Sequence, residues 1–120
     1  MTESSFNNNG EGISFFSGSS TPVRTAQVVN VITNNNIQSG IVVFSQTFRA
    51  DDYITLVGVQ ANQNEAGLLS RGDGVVSVHD SEFCSNVNVD IEIADGDLRS
   101  HQAVTCDDDE GNDVCDCSCN

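Results

Sequence analysis

Asn86-Val87-Asn88-Val89-Asp90-Ile91-Glu92-Ile93 is the stretch on which the reading of this chain turns. Aliphatic and polar residues alternate through it without a break. In an extended backbone Val87, Val89, Ile91 and Ile93 fall on one side, and Asn86, Asn88, Asp90 and Glu92 on the other. One buried and one wet face is the usual pattern of an antiparallel sheet. Asp95-Gly96 follows as a hairpin turn, leading into a further strand from Leu98 to Cys106.

Upstream, short apolar runs alternate with turn residues in the same way. Val23 to Thr33 reads as a strand stopped by Asn34-Asn35-Asn36, residues that tolerate left-handed backbone. Ile37 to Arg49 has an apolar centre at Ile41-Val42-Val43-Phe44, and Gly40 marks a bulge within it. Tyr53 to Gln60 and Val75 to His79 complete the set, with Arg71-Gly72-Asp73-Gly74 as a tight turn between them. Short strands at this spacing, with no helix pattern and no internal repeat evident, predict an all-β fold. The expected architecture is a single small antiparallel β-sandwich or jelly roll. Residues 1–22 read as an extended N-terminal arm, 23–105 as the sandwich, and 106–120 as an acidic, cysteine-rich tail.

The 120 residues suffice for one domain that buries about two-thirds of its unfolded surface. The net charge is −14 with no lysine; without the tail's six acids, residues 1–105 still carry −8. Such a surface repels nucleic acid and anionic membrane, so neither is an expected partner. No stretch approaches the roughly 20 apolar residues of a membrane span. The start, MTESSFNNNGEG, has no basic, apolar signal segment, so a virion or extracellular location without an export signal is the expectation.

Four of the five cysteines lie in the tail, at Cys106, Cys115, Cys117 and Cys119; the fifth is Cys84. The C-x-C spacing puts successive thiols about 6.5–7 Å apart in extended chain, too far for bonding to one another. Bridges to Cys84, to Cys106 or to another chain are therefore favoured, and the odd count leaves one thiol over. The rival reading is a thiolate site for zinc or an iron–sulfur cluster on the same cysteines, although the spacing is not a paired knuckle. Asp107, Asp109 and Asp113 are weak candidates for calcium, but the run does not match a helix–loop–helix calcium loop. No cofactor is expected beyond such a metal ion.

Catalytic chemistry has little to stand on. His79, Asp80 and Cys84 form the one trio resembling base, orienter and nucleophile. There is no phosphate loop, nucleophile elbow or paired histidine set, so an enzyme is not expected. The arm's Ile13, Phe15 and Phe16 are candidates for packing on another subunit. The role expected from these features is a homo-oligomeric structural subunit that decorates or cements a larger particle, such as a virion capsid, through arm and tail. The alternatives are a disulfide-crosslinked extracellular filament, a metal-binding module using the tail, and a carbohydrate-binding β-sandwich.

Overall fold

The computed structural model describes residues 1–17, 25–45, 53–72, 75–94, 97–110 and 114–119. Among these described residues nine strands follow in order: β1 (Ile13–Ser17), β2 (Thr25–Val29), β3 (Ser39–Ser45), β4 (Tyr53–Val57), β5 (Ala66–Gly72), β6 (Val75–Phe83), β7 (Val89–Ala94), β8 (Asp97–Cys106) and β9 (Asp109–Glu110). Odd-numbered strands form one sheet, in the order β1-β3-β5-β7-β9, and even-numbered strands the other, in the order β2-β4-β6-β8. Every pairing between them is parallel. The chain crosses from one sheet to the other at each strand and so winds as a solenoid, each coil resting on the one before.

This overturns the antiparallel sandwich and jelly roll. Alternation reveals that a strand has one buried and one wet face, but not the direction of its neighbours. Parallel sheets normally read as unbroken apolar runs because helices cover both faces. Here no helix exists among the described residues, and each sheet keeps an outer face toward water. The crossover that a parallel pair requires is supplied by a strand of the opposite sheet. The hairpin expected at Asp95-Gly96 falls on residues outside the described set; β7 and β8, the strands on either side, belong to different sheets.

The coils do form a repeat, marked by left-handed corners. One series of positive-φ residues is Glu3, Asn30, Gly58, Asp80 and Ala103; a second is Asn8, Asn35, Gln63 and Ser85. At Gly58 the requirement is steric as well, because a Cβ there would collide with Asn30 Oδ1. Between the two corners runs a narrow third side, with Ser5 bridged to Ile32, Ile32 to Gln60, and Gln60 to Glu82.

The interior is built from in-register stacks. Ile13, Ile41, Leu68 and Ile91 sit one above another in the first sheet, and Val28, Leu56 and Val78 in the second. With Val31, Val59 and Phe83 from the third side they form one core. Val89, Ile91 and Ile93 belong to the buried set, but Val87 does not: it is 82% exposed, because the strand begins only at Val89 and residues 84–88 turn the corner. Asp90, on the side expected to be wet, is only 4% exposed.

Asparagine side chains hold the corners where backbone pairing lapses. Asn9 N–H donates to Asn36 Oδ1 (2.9 Å), Asn36 N–H to Asn64 Oδ1 (2.8 Å), and Asn64 N–H to Asn86 Oδ1 (2.9 Å). A second ladder runs the other way: Asn34 N–H donates to Asn7 Oδ1, Asn62 N–H to Asn34 Oδ1, and Cys84 N–H to Asn62 Oδ1. Each bond satisfies a main-chain donor that the bend would otherwise leave without a partner.

Candidate functional site

The two ends of the solenoid differ in backbone, chemistry and charge. At the C-terminal end both asparagine ladders run into the tail. The second ladder finishes at Cys84, whose sulfur is bonded to Cys119 at 2.04 Å. The first finishes at Asn86, which donates its Nδ2 to Asp90 Oδ1 at 2.9 Å; Asp90 Oδ2 in turn accepts the Asp107 N–H at 3.0 Å. The stack of Ile13, Ile41, Leu68 and Ile91 is capped in register by Asp109. Asp109 Oδ2 accepts the N–H groups of Val114 (2.7 Å) and Cys115 (3.1 Å), and Val114 is fully buried beneath.

The second disulfide joins Cys106 to Cys115, and Cys117 is free and exposed. Cys106 N–H donates to Cys117 O, and Cys117 N–H to Val104 O, which closes part of the outer edge of β8. Asp116 accepts from Val104 N–H at 3.1 Å and pairs with His101 Nδ1 at 2.9 Å. The His101 hydrogen bond, helped by that of Val104, holds the Asp116 carboxyl below the usual carboxylate range.

This geometry gives the tail's acids internal work. Asp107 accepts from Cys119 N–H, Asp109 caps Val114 and Cys115, and Asp113 lies outside the described residues. Cys106, Asp109 and Cys115 bring metal-type donor atoms within 4.8 Å of one another. Two of those donors are sulfurs bonded together, however, and a disulfide is not the thiolate that zinc or iron binds. The catalytic trio is likewise left without a thiol, since Cys84 is bonded to Cys119. His79 Nε2 instead meets Ser100 Oγ at 3.0 Å.

At the opposite end nothing comparable closes the coil among the described residues. Residues 1–17 form the first layer: Thr2 bridges to Val29, Ser5 to Ile32, and β1 pairs with β3 along its length. Ile13 is buried in the chain's own core, while Phe15 and Phe6 pack against that core half-covered. Phe16 lies opposite Phe44 in register, and its side chain is outside the described set. β1 is the edge strand of its sheet, and among the described residues no strand pairs with the outer edge of Ile13–Ser17. Its sequence, ISFFS, has none of the charges or prolines that normally blunt an edge. The other edge of that sheet, β9, is two residues long and both are acidic.

Charge follows the same axis. Residues 1–45 contain two acids, Glu3 and Glu11, and one base, Arg24; residues 46–120 contain the other sixteen acids with three arginines. Sequence reading missed the asparagine ladders, although the triplets Asn7-Asn8-Asn9, Asn34-Asn35-Asn36 and Asn62-Gln63-Asn64 carried the signal.

No family model matches this chain, and neither a curated protein nor a solved structure does. The β-sandwich description gives way to parallel sheets, and the virion and capsid-decoration terms, which rested on the absence of a signal segment and of a catalytic set, the arm and tail and the odd cysteine count, find no support and are set aside.

Proposed function

We propose that this chain is a structural assembly subunit: a rigid solenoid end-piece that joins its partner through the N-terminal end and presents a sealed acidic end to solvent. The observation that carries the reading is the contrast between the ends. Solenoids need terminal layers that shield the last coil. The C-terminal layer has that character in two disulfides, a two-residue acidic edge strand and buried Val114. The N-terminal layer has an uncharged open strand over half-covered Phe6 and Phe15.

The partner is a second copy of the same end. Meeting across a twofold axis, two β1 edges pair antiparallel and bring together the least charged part of each molecule. Among the described residues one end is open and the other sealed, which gives a closed pair, since indefinite stacking would need a second open end. The disulfides favour an oxidising compartment as the place of assembly.

Light scattering on the purified, oxidised chain tests this. The expected result is a species of twice the 12.8 kDa chain mass that dissociates on dilution. Ser14→Lys places a charge on the exposed face of the edge strand without touching the core, and is expected to give monomer with an unchanged circular dichroism spectrum. Wild-type protein that stays monomeric at high concentration, or a lysine variant that pairs as well as wild type, overturns the reading.

A further inference from the structure

The outer face of the odd-numbered sheet carries an open groove of about 510 Å³ that the assembly reading does not use. Its floor is apolar, built from Val42, Phe44 and Leu69, with Val42 and Leu69 in register on neighbouring strands. Glu11 and Glu65 line one side and Glu92 the other end. Each carboxylate is positioned by one neighbour: Glu11 accepts from Ser14 Oγ, Glu65 from Asn88 Nδ2 at 2.7 Å, and Glu92 pairs with Arg71 at 3.1 Å. A carboxylate offers about four lone-pair sites, so acceptor capacity remains on all three.

Spacing selects the ligand. Glu11 and Glu65 stand on the same flank two coils apart, linked through Gln38, whose N–H donates to Gly10 O and whose carbonyl accepts from Glu65 N–H. Two strand separations amount to about 9.5 Å along the axis. A polyproline II peptide has three residues per turn and rises about 3.1 Å per residue, so every third side chain shares a face at about 9.3 Å. A β-strand repeats each face at about 6.7 Å and does not match.

We propose that this groove binds a polyproline II segment of a partner protein carrying Lys or Arg at every third position. The basic heads reach Glu11 and Glu65, and the intervening prolines and side-chain stems lie on Val42 and Leu69. The net −14 of the chain draws such a segment in and rejects acidic ones.

Fluorescence anisotropy with two labelled peptides of identical composition tests this. One repeats Lys-Pro-Pro; the other groups its lysines together and its prolines together. The spaced peptide is expected to bind more tightly, and Glu11→Gln and Glu65→Gln are each expected to weaken it about two- to five-fold, the worth of an exposed ion pair. Leu69→Ser is expected to weaken both peptides alike. Equal binding of the two peptides means bulk charge attraction alone and overturns the proposal. So does absence of binding, or insensitivity to both glutamate variants. Ser14 holds Glu11 and lies beside Val42, so these outcomes are read on protein with Ser14 intact, at concentrations where light scattering shows monomer, independently of pairing.

Discussion

Asn64→Ala strikes the middle of the longer asparagine ladder, and its cost follows from the bonds it removes. Asn64 is 1% exposed. Its Oδ1 accepts from Asn36 N–H at 2.8 Å and from Asn36 Nδ2 at 2.9 Å, while its Nδ2 donates to Thr33 O at 2.9 Å. Asn36 Nδ2 has substitutes in Phe6 O and Thr33 Oγ1. The Asn36 N–H and Thr33 carbonyl lose these side-chain partners inside the protein, where water does not replace them. An unsatisfied buried polar group costs about 1–3 kcal/mol, so the variant is expected to lose about 3–5 kcal/mol. That is a large share of the ~5–15 kcal/mol that holds a domain together. Urea unfolding followed by circular dichroism measures it, and the midpoint should fall sharply at unchanged slope. The control is Asn88→Ala, an exposed asparagine with one bond to Glu65, expected to stay within about 0.5 kcal/mol of wild type. If the two variants cost the same, the ladder is not what holds the coils in register.

Three further outcomes follow from the same geometry. Replacing Cys84 and Cys119 together by alanine opens a loop with a sequence separation of 35, expected to cost about 3–4 kcal/mol by chain entropy and to free the tail to proteolysis; an unchanged urea midpoint would contradict it. Asp116, whose folded pKa lies below its unfolded value, contributes stability above about pH 4 that is lost as pH falls through the depressed pKa. Acid titration of tail amides by NMR should display that loss, and Asp116→Asn should abolish it; a tail indifferent to both refutes the pairing. Val89→Asp should unfold the domain by burying an unpaired carboxylate, whereas Val87→Asp should melt near wild type because Val87 is exposed; similar melting of the two would place the corner wrongly.

How much of this was legible in the sequence depended on range. Strand positions and the buried side of Val89, Ile91 and Ile93 follow from local alternation, which is a property of a few neighbouring residues. Strand direction does not, because parallel and antiparallel partners impose the same pattern when one face is wet. The coil repeat was hidden by connections of unequal length: seven residues separate β1 from β2 and β3 from β4, but two separate β5 from β6 and β7 from β8. Corner residues also vary, since Glu3, Asn30, Gly58, Asp80 and Ala103 fill one corner with five different side chains. Val87 was misassigned because alternation continues by chance through the bend. In the tail, C-x-C spacing argues against neighbouring pairs, but the choice of Cys119 for Cys84 and Cys115 for Cys106 depends on how the tail folds over the last coil.

The open N-terminal end is tested most directly by hydrogen–deuterium exchange at low and high protein concentration. Pairing through β1 is expected to protect the amides of Ile13–Ser17 as concentration rises, while those of Cys106 and Val114–Cys119 exchange at the same rate throughout. Protection at β1 that is independent of concentration, or concentration-dependent protection confined to the tail, would contradict the account.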